Sequence, residues 1–159
     1  MKKAFVFPGQ GSQFVGMGKE LIQERSSFKE YMDQAKEILG FDIAKIMLEG
    51  PEEKLLQTSV TQPAIFVHAV ADALTREEFN PEAVAGHSLG EFSALVAAKV
   101  LSFEDGLQLV KARANAMQKA CDVQKSGMAA IIGLENEQVE EICSSIDELV
   151  VPANYNTIG

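Results

Sequence analysis

Residues Ala85–Glu91 read AGHSLGE, and this stretch decides the fold. Ser88 stands between Gly86 and Gly90, each two residues away. The apolar Ala83-Val-Ala-Gly86 before it predicts a short buried strand. The alanine- and leucine-rich residues 89–99 after it predict a helix. A strand, a G-x-S-x-G turn and a helix in that order form a nucleophile elbow. The turn is so sharp that side chains two positions before and after the serine would collide, so glycine fits both places. Ser88 then sits on a strained backbone with its hydroxyl exposed at the start of a helix. Free amides and the helix dipole favour negative charge there. The amide of Leu89 would donate to the oxyanion of a tetrahedral intermediate. As a bare pattern G-x-S-x-G also arises by chance in glycine-containing turns, and the flanking strand and helix distinguish this one.

A serine nucleophile needs a base, most often histidine. The chain holds two, His68 and His87. His87 adjoins Ser88, but neighbouring side chains at a tight turn point apart. It reads as a pocket-lining or hydrogen-bonding residue, with a purely structural role equally open. His68 lies inside a helix expected from Thr61 to about Phe79 and reads as a satisfied or partly exposed helix residue. Neither is a convincing base.

Outward from the elbow, strands alternate with helices, which indicates an α/β class. Residues 3–7 predict a buried first strand ended by Pro8-Gly9, followed by the glycine-rich loop Gly9-Gln-Gly-Ser-Gln13. Phe28, Tyr31, Met32, Ala35, Ile38 and Leu39 recur at helical spacing, so 27–39 is an amphipathic helix, capped by Ser26 or Ser27 and ended by Gly40. Short helices follow at 42–48 and 51–57. Thr61 would cap the next helix, with Pro63 in its first turn. Ser102 opens a further helix through a variant capping box with Asp105, turning Leu107, Val110, Ala114 and Met117 inward. From Gly127 the texture changes: a strand over 128–134, a helix over 135–145 and a strand over 148–154 make a β-α-β unit. The expected domains are 1–125, the N-terminal portion of a core with a parallel sheet, and 126–159, a small subdomain.

With 159 residues, 47% of them hydrophobic and 23% charged, the chain is globular and long enough to bury a core. A net charge of −9 argues against nucleic acid as a partner. No apolar run approaches a membrane span. The N-terminal Met1-Lys-Lys-Ala-Phe-Val-Phe7 has the charge of a secretory signal, but Pro8-Gly9 ends its apolar part too early. Cys121 and Cys143 are therefore expected as free thiols of a cytoplasmic protein. No ligand cluster suggests a metal.

Five stretches together carry a resemblance: FVFPGQGSQFVGMG from Phe5, TQPAIF at 61–66, GHSLGEFSAL at 86–95, MAAIIGL at 128–134 and VPANYN at 151–156. In this order they resemble the N-terminal part of the malonyl-CoA:acyl carrier protein transacylases, over essentially the whole chain. The resemblance implies a hydrolase-like α/β core and the start of a ferredoxin-like subdomain. It implies transfer of malonyl from coenzyme A to the phosphopantetheine thiol of acyl carrier protein, for fatty acid synthesis and with no cofactor of the enzyme's own.

By that resemblance Ser88 carries the malonyl ester, and the backbone amide of Gln10 completes an oxyanion hole with Leu89. From the residues alone Gln10 is an ordinary turn residue. Arg113 matches the arginine that pairs with the free malonyl carboxylate, a task suited to a guanidinium fork; without the match it reads as an arginine snorkelling at a helix edge. Gln62 matches a polar active-site residue, and helix capping would equally explain it. The family's catalytic histidine lies further along the chain than Gly159, so the chain is expected to be incomplete as an enzyme core. A serine esterase or thioesterase would use the same elbow, although GQGSQ and TQPA favour the transferase. An inactive half-domain that works only when completed is a third reading. Among residues 111–125, Lys111, Arg113, Lys119 and Lys125 outnumber the lone acid Asp122. That leaves Lys119 and Lys125 as candidates for docking an acidic carrier, against the alternative of a solvated helix face.

Overall fold

The computed structural model describes residues 2–123 and 127–157. The chain divides into two compact units, Met1–Gln124 and Lys125–Gly159.

The first unit runs β1 (Ala4–Phe7), α1 (Lys19–Glu24), α2 (Ser26–Leu39), α3 (Ile43–Glu49), α4 (Glu52–Leu55), α5 (Thr58–Leu74), β2 (Ala83–Gly86), α6 (Gly90–Ala97) and α7 (Phe103–Val123). The two strands pair in parallel with Phe7 opposite Gly86. That register brings the loop after β1 and the turn after β2 to the same end of the pair. Helix α5 is the centre of the unit. It packs on α7, α6 and α2, and every residue from Thr61 to Val67 is buried, as expected of a helix that is apolar nearly all round. Helix α2 presents Phe28, Met32, Ala35 and Leu39 to this core. Burying Phe28 completely stabilises by roughly 1.5–3 kcal/mol. Gly40 ends α2 in the left-handed conformation at φ 82°, where glycine carries no steric cost. Helix α7 comes close to α5 and α6 because residue 106 is glycine: a Cβ there would lie 2.8 Å from Phe66 Cζ and from a Val96 methyl.

Several expectations are corrected. Strands β1 and β2 are buried on one face only. Phe5, Phe7, Val84 and Gly86 lie on a covered face, while Ala4, Val6, Ala83 and Ala85 are exposed on the other, Val6 by 79%. A parallel pair is buried only when both faces are covered, and here helices cover one. The capping assignments at Ser26 or Ser27 and at Thr61 also fail. Arg25 occupies the α2 N-cap without a side-chain bond. Helix α5 begins at Thr58, so the Thr61 hydroxyl instead donates to the carbonyls of Leu55 and Gln57, at 2.5 and 3.0 Å. Pro63 thereby lies beyond the first turn, where its missing N–H removes one helical bond. Helix α1 was not expected at all. The Ser102 cap does form: its Oγ accepts from the Asp105 amide at 3.0 Å and donates to the Asp105 carboxylate at 2.9 Å.

In the second unit α8 (Asn136–Ser144) forms, closed at its start by a reciprocal capping box between Glu135 and Gln138. The strands expected at 128–134 and 148–154 do not. Among the described residues neither segment has a ladder partner, and a strand exists only through its pairing.

Candidate active site

The turn between β2 and α6 is shaped by what cannot fit. A Cβ on Gly86 would lie 2.1 Å from the Gly90 carbonyl, and one on Gly90 would lie 2.2 Å from the Phe7 carbonyl oxygen. Glycine at both places lets the strand end, the turn and the helix start stack directly. The turn closes by hydrogen bonds from the Gly90 amide to His87 O at 2.8 Å and from the Glu91 amide to Ser88 O at 3.2 Å. Ser88 itself has φ 53°, a left-handed conformation costly for any residue with a Cβ. Strain held at one serine by two flanking glycines is the signature of an elbow built to present a side chain. Ser88 is exposed, whereas the next residue, Leu89, has its side chain fully buried in the core. The hydroxyl thus stands out at the N-terminus of α6 while the leucine anchors the turn from below.

The loop after β1 lies against this turn. His87 donates its amide to Phe7 O at 3.1 Å, and a Cβ on Gly9 would approach His87 Nδ1 and His87 O to 2.9 Å each. Only glycine at position 9 admits the imidazole there. Gln10 follows in an exposed turn. Among the described residues, neither the Gln10 amide nor the Leu89 amide makes a backbone hydrogen bond.

Helix α7 brings a cation to the serine. Arg113 Nη2 donates to Ser88 Oγ at 2.9 Å, and Arg113 Nη1 donates to Gln62 Oε1 at 2.5 Å. Gln62 is fully buried on α5 and donates from Nε2 to Met117 Sδ at 3.2 Å. Arg113 is half-buried at the edge of α7 with its guanidinium on Ser88 and Gln62, and Gln62, lying inside α5 (Thr58–Leu74), caps no helix.

His68 sits elsewhere in the core. Its ring meets Phe28 edge-on with centroids 6.0 Å apart. Burial holds its pKa below the usual histidine value, against the pull of Asp72. Of the carrier-docking candidates, Lys119 is exposed on α7, and Lys125 lies outside the described residues. Lys111 is committed to the Ile38 carbonyl at 2.8 Å. The helical spacing of Leu107, Val110, Ala114 and Met117 predicts a buried Met117; it is instead 40% exposed, and its sulfur accepts from Gln62 Nε2. The spacing of four between Arg113 and Met117, one helical turn, was the available signal.

An exposed serine on a strained turn, at a helix N-terminus and under a guanidinium, is a place where an acyl group can be held and its charge met. The acyl transferase domain model matches residues 4–157. The chain belongs to the acyl transferase domain family. It is similar to the malonyl CoA-acyl carrier protein transacylase of Staphylococcus aureus strain MSSA476, 42% identical over 161 aligned residues covering 99% of this chain and 52% of that protein. It is also similar to the solved malonyl CoA-acyl carrier protein transacylase of Coxiella burnetii, with TM-score 0.85, 40% identity, and 99% of this chain against 52% of that one. A third solved structure, a type II PKS acyl-carrier protein in complex with its malonyl-transacylase, aligns with TM-score 0.81 and 38% identity over 91% of this chain and 48% of that one. The chain spans about half the length of the relatives it matches.

Proposed function

We propose that this chain supplies the nucleophile and the acyl-carboxylate site of a malonyl-CoA:acyl carrier protein transacylase. One observation carries the reading: a single guanidinium is hydrogen-bonded both to the nucleophilic hydroxyl and to a buried glutamine. A malonyl ester on Ser88 ends in a carboxylate one methylene beyond the ester carbonyl, within the sweep of that guanidinium. The fork offers a bidentate pair, and an acyl group lacking the carboxylate would leave the cation unmatched.

In the first half-reaction Ser88 Oγ adds to the thioester carbonyl of malonyl-CoA and loses its proton to a base. The amides of Leu89 and Gln10 take the oxyanion charge. The tetrahedral adduct collapses, the C–S bond breaks, and the coenzyme A thiolate leaves with the proton returned by the base. In the second half-reaction the carrier's phosphopantetheine thiol attacks the ester and Ser88 recovers its proton. Neither histidine of this chain suits the role of base. The His87 imidazole lies over Gly9, and His68 is packed on Phe28. We place the base in chain beyond residues 1–159, together with the strands that would complete a hydrolase-like sheet and a ferredoxin-like subdomain begun at 126–159. We further propose a cytoplasmic location, no cofactor of the enzyme's own, and acyl carrier protein as the acceptor, with Lys119 and Lys125 among its contacts.

The test compares acceptors. With the full-length protein, labelled malonyl-CoA and holo carrier, label should accumulate on the carrier thiol. Label recovered mainly as free malonate would instead establish a thioesterase.

A further inference from the structure

We propose that Met117 is a positioning residue for Arg113, acting through the Gln62 side chain. This rests on the reading of Arg113 as the partner of the acyl carboxylate. A glutamine amide is nearly symmetric: its carbonyl and NH2 ends have almost the same shape. Only one orientation serves the site. Arg113 carries donors and no acceptor, so the Gln62 carbonyl must face it. The NH2 end then points the other way, inside the protein, and needs an acceptor. Met117 Sδ provides one at 3.2 Å. Arg113 and Met117 stand one turn apart on α7, and the fully buried Gln62 amide of α5 is held between them.

The two ends enforce each other. In the flipped orientation an NH2 would face a guanidinium and a carbonyl would face a sulfur lone pair, and both contacts are repulsive. With the thioether removed, the Gln62 NH2 is left buried without an acceptor. The side chain then gains by rotating towards some other acceptor, and its carbonyl comes off Arg113 Nη1. The guanidinium is released from the neutral amide that holds its other end while it points at Ser88. Met117 thereby governs how sharply the site selects a carboxylate-bearing acyl group, although no step of the chemistry passes through it.

The experiment is a double-mutant cycle on the full-length protein with Met117→Leu and Gln62→Leu. Leucine keeps the volume and apolar character of methionine but cannot accept a hydrogen bond. In the otherwise unchanged protein, Met117→Leu should lower the ratio of malonyl-CoA to acetyl-CoA kcat/KM by about three- to tenfold, mostly through KM for malonyl-CoA. In the Gln62→Leu background the same substitution should change that ratio by less than about twofold, because no amide remains to be oriented. An equal fall in both backgrounds, or none in either, would overturn the proposal. The 15N and 1H resonances of the Gln62 side-chain NH2 give a readout independent of any substrate. They should move in Met117→Leu, and unmoved resonances would refute the contact itself, separately from any failure of the malonyl reading.

Discussion

Arg113 rests on Ser88: the Nη2 of the one donates to the Oγ of the other at 2.9 Å across twenty-five residues of sequence. In the proposed reaction this contact must give way to the acyl carboxylate once the ester forms. Arg113→Lys is therefore expected to be far from conservative. A lysine is a point charge without the fork that reaches Gln62 and Ser88 together. Losing one charge-assisted hydrogen bond of about 1.5–3 kcal/mol should lower kcat/KM for malonyl-CoA roughly 10- to 100-fold. Acetyl-CoA turnover should suffer less. Equal losses on both substrates, measured by carrier acylation, would remove the carboxylate role.

The elbow glycines should tolerate no side chain. Gly86→Ala and Gly90→Ala would each place a Cβ about 2 Å from backbone atoms, which cannot move aside as a flexible side chain can. Each is expected to destabilise by about 3 kcal/mol or more. Gly127→Ala, with nothing within 4 Å of the added Cβ, should stay within about 0.5 kcal/mol. Urea melts of the three variants check this, and an elbow variant as stable as Gly127→Ala would contradict it.

Acid should weaken the fold through His68. Burial lowers its folded-state pKa below the ordinary value of 6.5. The unfolded chain therefore takes up the proton first as pH falls. The stability associated with neutral His68 is fully present above about 6.5 and is lost as pH falls through the lowered folded value. Asp72 adds a second step at lower pH. Burial pushes its carboxyl up, but hydrogen bonds from Arg76 and Arg25 outweigh that and hold it below 3.8. Its contribution is present above 3.8 and lost beneath it. In His68→Leu the first decline should flatten and the second remain, as read from unfolding midpoints across pH.

Ser93 offers a gain. Its side chain is buried and its Oγ has no hydrogen-bond partner among the described residues. Removing an unsatisfied hydroxyl from the interior of α6 relieves a desolvation cost, and alanine is the better helix former. Ser93→Ala should raise stability by up to about 1 kcal/mol. A loss greater than about 1 kcal/mol would mean the hydroxyl is satisfied after all.

The elbow was legible because its constraint is local. Strand, paired glycines and helix all fall within fifteen residues, Ala83–Ala97, and steric exclusion leaves its mark as residue type. Helix α2 was legible for a similar reason, its buried face repeating every three or four residues. What failed depends on partners far away in sequence. The burial of β1 and β2 turns on whether both faces are covered, and the segments 128–134 and 148–154 become strands only if something pairs with them. The start of α5 was misplaced because Thr61 looks like a cap, whereas its hydroxyl bonds backward to Leu55. The meeting of Arg113 with Gln62 was beyond residue patterns altogether, and the resemblance alone suggested both as site residues.

The most direct test is to find where the acyl group goes. The full-length protein incubated with labelled malonyl-CoA and no carrier, then digested and mapped by mass spectrometry, should carry malonyl on Ser88, with the label discharged on adding carrier thiol and absent from Ser88→Ala. Label on any other residue, or undiminished label in Ser88→Ala, would contradict the account.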